Sequence, residues 1–307
     1  MALAMGIDVG GTNLRVGVFD GLQLVEETHF RADFSEICLN NTPNVAWQQI
    51  LNMMEKAIRS VLATHDAQTI GVGFPGFIDP VTKVIAQSPN LVGLKSVNLA
   101  ANLAQRLARN VTVENDANAA AYGEYCLAGQ PAGGLIYLGL GTGVGGGLVL
   151  NGKPYAGQHG TAMEVGHIIV AANGRLCGCG NLGCLEQYAS ASGVAISYFN
   201  ATQQKLTSAQ IGQLAVNGDT VAIAAFDLAA SALAQALASI VKVVDVQTVV
   251  IGGGLTGAWP LMKKAFLQRF EADLIVVLRN KINIKISQSG DVAGMLGAAM
   301  LAQAQIV

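Results

Sequence analysis

Short apolar runs broken by glycine turns alternate with longer stretches of helical periodicity along this chain. Met5–Asp20 reads as two strands joined at Gly10-Gly11-Thr12, and Leu22–Phe30 as a third, together a β-meander. Trp47–Thr64 places Ile50, Met54, Ile58 and Leu62 on one face and predicts an amphipathic helix. Ile70–Gly73 reads as a buried strand ending in the turn signal Pro75-Gly76. Leu99–Arg109 is a helix, Val111–Glu114 a strand, and Asp116–Tyr125 a helix opened by an Asn-Asp cap. A second meander begins at Leu135–Leu140, passes Gly141-Thr142-Gly143 and further glycines, and continues through Leu148–Leu150 to an Asn151-Gly152 hairpin. Strand Thr248–Ile251 runs into Gly252-Gly253-Gly254, and strand Ile282–Ser287 precedes a C-terminal helix from about Asp291. The order strand, Gly-Thr turn, strand thus occurs twice, near residues 8–18 and 138–150. That repeat suggests two related α/β domains facing each other.

Composition narrows this picture without changing it. The chain has 307 residues, 51% hydrophobic and 12% charged, with 37 glycines, which suits a well-packed α/β protein with sizeable cores. A net charge of −2 gives no argument for a nucleic-acid or anionic-membrane partner. No signal peptide is evident, and Leu228–Val241 and Val292–Val307 are too short and alanine-rich to read as spanning helices, so the expected location is cytoplasmic. The five cysteines are odd in number and three share one loop, which fits metal binding in a reducing compartment better than disulfides. Cys38 and Cys126 read as small buried hydrophobes, His159 as a polar loop residue, and His29 and His65 carry no pattern.

The candidate chemistry sits at five places. His167, Cys177, Cys179 and Cys184 form a Cys₃His set, flanked by the carboxylates Glu164 and Glu186. Such a set closes a tetrahedral zinc site with no position left for water, so the metal builds structure. The Gly10-Gly11-Thr12 and Gly141-Thr142-Gly143 turns each serve a tight hairpin equally well. Their duplication, with Gly253 and Gly254 as a third turn, points instead to backbone N–H groups around a polyphosphate. Neither turn is a Walker A loop or a dinucleotide fingerprint. Glu114-Asn115-Asp116-Ala117-Asn118 reads either as a helix N-cap or as a general base, Asp116, beside a hydroxyl-binding Asn115.

Taken in order and spacing, Met5–Leu14, Gly73–Gly76, Glu114–Asn118, Leu140–Gly147, Glu164–His167, Cys177–Glu186 and Ile251–Gly254 resemble the ROK family (repressors, open reading frames, sugar kinases). The resemblance implies an actin/hexokinase-like fold, two RNase-H-like α/β domains closing on an interdomain active-site cleft that takes ATP, Mg²⁺ and a sugar. By position it implies Asp116 as catalytic base, and Gly76, Asn90, Asn115, Glu164, His167 and Glu186 as sugar contacts. It gives Asp8 to magnesium, and Gly10, Gly11, Thr12, Asn13, Gly141, Thr142, Gly143, Gly253 and Gly254 to the nucleotide. His167, Cys177, Cys179 and Cys184 match the family's structural zinc ligands, so His167 has one ring nitrogen for metal and one for sugar. Residues 1–118, joined by a helix over about 291–307, are expected as the smaller domain, and 119–290 as the larger, with a compact crossing near 118–134. The sequence around Glu114–Asn118 with Gly123-Glu124 is most similar to the glucokinase branch. Kinases for N-acetylglucosamine, N-acetylmannosamine, fructose, allose or mannose, and non-catalytic sugar sensors, remain alternatives within the family. Its repressors carry an N-terminal helix-turn-helix domain, for which a first strand starting near Met5 leaves no expected room. A homodimer is implied too. Two positions depart from the usual pattern: Met163 stands where the family has glycine, and Asn13 where many members have lysine.

Overall fold

The computed structural model describes residues 2–88 and 91–305. The chain opens with β1 (Ala4–Val9), β2 (Asn13–Asp20) and β3 (Gln23–Arg31), the antiparallel meander expected from the pattern. Helices α1 (Phe34–Asn40) and α2 (Pro43–Leu62) follow. The second begins earlier than the apolar period alone indicates, because Pro43 at its first turn needs no amide partner and has a helical φ built in. Its buried face carries Trp47, Ile50, Leu51, Met54, Ile58 and Val61, each worth roughly 1.5–3 kcal/mol by removal from water. Strand β4 (Thr69–Phe74) is buried throughout, as a strand covered on both faces must be. Three short strands, β5 (Phe77–Ile78), β6 (Ile85–Gln87) and β7 (Lys95–Val97), make a small antiparallel sheet of their own. Then come α3 (Leu99–Leu107), β8 (Val111–Asn115) and α4 (Asp116–Leu127).

The second meander comprises β9 (Leu135–Leu140), β10 (Val144–Leu150) and β11 (Lys153–Pro154). Strand β10 starts at Val144 rather than Leu148, so Gly145, Gly146 and Gly147 lie within the strand and not in the turn. Helices α5 (Glu186–Ala189), α6 (Ala191–Thr202), α7 (Ser208–Val216) and α8 (Thr220–Val244) follow the cysteine loop. They lead to β12 (Thr248–Gly252), α9 (Trp259–Asp273), β13 (Asn283–Ile286) and α10 (Val292–Ala304). Helix α8 is longer than its alanine-rich middle suggests, and is long and apolar enough to cross a membrane. Yet 61% of its most apolar window is buried within the fold, with Phe226, Leu233, Leu237 and Val241 fully inside. It is a core helix.

The repeat read from the sequence reappears as topology. One sheet runs β3-β2-β1-β4-β8 and the other β11-β10-β9-β12-β13, the same order with a meander followed by two parallel strands. The chain divides into two compact units: Met1–Ala132 with Gly147–Ala162 and Asp291–Val307, and Gly133–Gly146 with Met163–Gly290. This differs from a boundary at 118. Helix α4 stays with the first unit because α10 packs on it at backbone distance: a Cβ on Gly123 would overlap the Ala293 carbonyl, and one on Gly297 the Ala119 carbonyl. Gly147 likewise belongs there, since a Cβ on it would lie 2.5 Å from the Ala121 Cβ and 2.7 Å from the Ala117 carbonyl oxygen.

Candidate active site

In the first unit the chemistry gathers at the carboxyl ends of parallel strands, where α/β folds place their ligands. Asp8 on β1 pairs in register with Gly73 on β4, which pairs with Glu114 on β8. One residue beyond β8, Asp116 opens helix α4. Asn115 is the N-cap of α4. Its Oδ1 accepts the Asn118 N–H at 3.0 Å as the helix cap, while its Nδ2 donates to the Gly76 carbonyl at 3.2 Å and to Asp116 Oδ1 at 3.0 Å. Asp116 Oδ1 also accepts the Ala117 N–H at 2.9 Å. Two donors thus fix one carboxylate oxygen, and Oδ2 has no hydrogen-bond partner among the described residues. Burial raises the Asp116 pKa above the ordinary carboxylate value, against the lowering effect of those hydrogen bonds.

Asp8 is pushed up to about 6, first by desolvation and then by the negative charge of Asp116, with Arg15 opposing. Arg15, its cross-strand partner, forms an ion pair with Asp291 at the start of α10. A buried carboxylate with so little compensating charge is a hard oxygen donor that suits a divalent cation. Gly10, Gly11, Thr12 and Asn13 form the β1–β2 turn, closed by the Gly10 N–H to the Asn13 carbonyl at 2.8 Å, and Thr12 and Asn13 are exposed. Gly76 sits so close to β6 that a Cβ would lie 2.7 Å from the Gln87 carbonyl oxygen. Asn90 lies outside the described residues.

In the second unit the corresponding strand ends carry glycine turns. Gly139 on β9 pairs with Gly252 on β12, and the chain continues into Gly141–Gly143 after the one and Gly253–Gly254 after the other. A cavity of about 350 Å³ opens beside the latter, lined by Gly254, Leu255, Gly257, Ala258, Pro260 and Leu261 and by Ser208, Ala209, Gly212, Gln213 and Val216 of α7. Its size falls at the low end for small-molecule sites. Helix α7 carries no motif; its contribution follows only from packing, so sequence reasoning missed it.

The four ligand atoms of His167, Cys177, Cys179 and Cys184 all lie within 4.8 Å of one another. His167 Nδ1 is 3.7 Å from Cys177 Sγ, and Cys179 Sγ is 3.6 Å from Cys184 Sγ, close to the edge of about 3.8 Å that a tetrahedron of thiolates around zinc requires. The backbone builds this arrangement: Leu185 N–H donates to Ile168 O at 2.8 Å and Cys177 N–H to Asn181 O at 2.9 Å. Without a cation the thiols conflict. Cys184 is pushed up to about 12 by burial and by sharing hydrogen bonds with its neighbours, whereas Cys179 is held down by the Asn181 N–H. A divalent metal removes that conflict, so the donor set fits zinc.

His167 Nδ1 lies on the side of the cysteines, and its Nε2 is 3.8 Å from Glu164 Oε2, both side chains being partly exposed. Met163, just before Glu164, holds φ at +65°. That conformation is ordinary for glycine and strained for a long side chain, which gives the departure at this position its physical content. Glu186 accepts the Val144 N–H at 3.0 Å through Oε2. Arg175, which sequence reasoning passed over, lies above the Tyr188 ring at 4.5 Å and donates to the carbonyls of Gln187 at 2.5 Å and Gly193 at 3.1 Å. It ties the cysteine loop to α5 and α6. His159 is exposed, and Cys38 and Cys126 are buried free thiols, as expected.

Known proteins resemble this chain over nearly its whole length. A glucokinase from Halalkalibacterium halodurans is 32% identical, aligned over 98% of this chain and 95% of its own. An N-acetyl-D-glucosamine kinase from Pasteurella multocida is also 32% identical, over 96% and 98%. The crystal structure of a ROK family glucokinase from Streptomyces griseus, in complex with glucose and AMPPNP, superposes with a TM-score of 0.82 at 31% identity, covering 99% of this chain and 100% of that one. The fold is the actin/hexokinase-like fold, and the ROK family model matches residues 4–305. With that match over nearly its full length, the chain belongs to the ROK family.

Proposed function

We propose that this protein is a sugar kinase that transfers the γ-phosphoryl group of ATP to the 6-hydroxyl of a hexose, with glucose as the preferred sugar. The observation that carries the reading is Asp116. One of its oxygens is fixed by Asn115 and Ala117 and the other is unpartnered among the described residues. Its raised pKa makes it a stronger base than a surface aspartate. Oδ2 takes the proton from the sugar 6-hydroxyl as that oxygen bonds to the γ-phosphorus and the bond to the β–γ bridging oxygen breaks, leaving ADP. Asn115, Glu164, His167 and Glu186 orient the ring hydroxyls, with Asn90 and Gly76 assigned alongside by resemblance. The Gly10–Asn13 and Gly141–Gly143 turns take the phosphates, and the cavity beside Gly254 takes the adenosine. Asp8 would hold magnesium, which would supply charge neutralisation for the phosphates. His167, Cys177, Cys179 and Cys184 would hold zinc, which would supply structure alone.

The test is ADP release coupled to a spectroscopic readout. Asp116→Ala should lose at least about 10³-fold in kcat, the scale of a lost general base, while glucose still binds by calorimetry. A variant that retains kcat within tenfold overturns the base assignment. The relative from Pasteurella multocida makes N-acetylglucosamine the second sugar to test. A kcat/KM for it well above that for glucose transfers the reading to an N-acetylhexosamine kinase.

A further inference from the structure

The two glycines of the Gly141-Thr142-Gly143 turn are there for different reasons. A Cβ on Gly141 would meet nothing within 4 Å, so no neighbour demands glycine at that position. A Cβ on Gly143 would overlap Glu186 Oε2 and lie 3.1 Å from Glu186 Cδ. Gly143 does not have the positive φ that favours glycine. What a side chain at position 143 would meet is thus the carboxylate end of Glu186, which could swing aside only by giving up its hydrogen bond from the Val144 N–H. The same oxygen accepts the Val144 N–H at 3.0 Å, and the turn closes on itself through the Gly141 N–H to the Gly143 carbonyl at 3.0 Å.

The turn is held from the other side as well. The Gly141 carbonyl accepts the Ala191 N–H at 2.9 Å, from the first residue of α6. Ser190, fully buried between α5 and α6, donates to the Glu186 carbonyl at 2.6 Å and accepts the Gly193 N–H at 2.9 Å. Glu186 therefore stands two residues from the metal-ligand position Cys184, anchored through its backbone, with its carboxylate pressed against the turn.

We propose that Glu186 is a positioning residue for the phosphate turn: through Val144 N–H and the van der Waals surface of Gly143, its carboxylate sets the conformation of Gly141–Val144, so that sugar and nucleotide binding are coupled through this one side chain. This rests on the reading of the turn as a phosphate loop and of Glu186 as a sugar contact. A carboxylate has two oxygens. Oε2 is committed to the turn, which leaves Oε1 for a sugar hydroxyl, and a sugar that immobilises the carboxylate immobilises the turn with it. The nucleotide then binds a turn whose ordering cost is already met, which is positive cooperativity in binding.

A double-mutant cycle read by calorimetry with a non-hydrolysable ATP analogue, on the zinc-loaded full chain without sugar, tests this. Glu186→Ala alone should weaken the analogue about tenfold, the scale of a charge-assisted hydrogen bond. Gly143→Ala should weaken it at least as much in the native background and by less than about twofold in the Glu186→Ala background, where nothing remains to strike the new methyl. Glu186→Gln keeps an oxygen for the Val144 N–H, so it should retain analogue affinity within about threefold while losing glucose affinity. A Gly143→Ala cost that is the same in both backgrounds overturns the proposal, because glycine would then be needed for the phosphate itself. So does a Glu186→Ala variant of unchanged analogue affinity; if that variant does not fold, Glu186→Asp, whose shorter side chain draws the carboxylate away from the Val144 N–H, takes its place with the same two outcomes. Failure of the native protein to bind the analogue at all sinks the kinase reading instead, which keeps the two failures distinct.

Discussion

Two carboxylates a few residues from strand ends carry most of what is chemically unusual in this chain. Asp8 has a folded pKa of about 6 against an ordinary 3.8. Below about pH 4 both folded and unfolded chains hold the proton, and the fold bears no penalty. As pH rises through that window the unfolded chain ionises first, so stability is lost progressively up to about pH 6 and stays lower beyond it. The penalty is at most about 3 kcal/mol. Asp8→Asn removes it. The urea midpoint of the metal-free variant should therefore exceed that of native protein above pH 6 and converge with it below pH 4. A difference independent of pH would show that burial of the charge is not the cause. Asp116 and the Cys₃His set stood out by residue type and spacing, and Asp8 by resemblance to the family. Val144 and Arg175 did not stand out, because one acts through a backbone N–H and the other through contacts to carbonyls distant in sequence.

At the scale of elements, the C-terminal helix α10 is seated by glycines on its neighbours. A Cβ on Gly6 of β1 would overlap the Met295 carbonyl, and one on Gly71 of β4 the Ala298 carbonyl, so the helix backbone lies directly on the sheet. Glycine in a strand interior is otherwise unfavourable, and close backbone approach is its usual reason. Gly71→Val should cost about 3 kcal/mol or more by overpacking and lower Tm by upwards of about 6 °C. Gly133→Ala, at a position with open space around it, should change stability by less than about 0.5 kcal/mol. Equal effects from both would mean that α10 shifts to accommodate the side chain. The strands of both meanders could be read from their apolar runs, while the start of β10 could not, since a strand built on three glycines lacks the side chains that mark one.

Across the molecule, two five-stranded sheets share one strand order, and His167, Cys177, Cys179 and Cys184 all belong to one of the two units. Chelation should therefore act unevenly. Hydrogen exchange after zinc removal should accelerate first at amides of 168–188, then at Val144, whose N–H depends on Glu186, while amides of β1, β4 and β8 keep their protection. With Glu186 as a strut, metal loss reaches the Gly141–Val144 turn as well as the cysteine loop. Uniform acceleration across both sheets would show that the metal stabilises the fold globally and that the loop has no directed role.

The sequence by itself determined the family, the paired meanders, the Cys₃His set and the identity of Asp116 as candidate base. All of these are written in local apolar periods or in residue types at short spacing, which the chain displays before it folds. The tertiary structure decided where the units divide, which Asp116 oxygen Asn115 and Ala117 hold, what stands against Gly143, and which helix walls the cavity beside Gly254. Each of those depends on atoms far apart along the chain coming within a few ångströms: a carbonyl on α10, a side-chain amide turned back on its neighbour, a carboxylate reaching over from α5. No pattern confined to one segment can encode such a meeting, because what excludes or holds a group there is supplied by another segment.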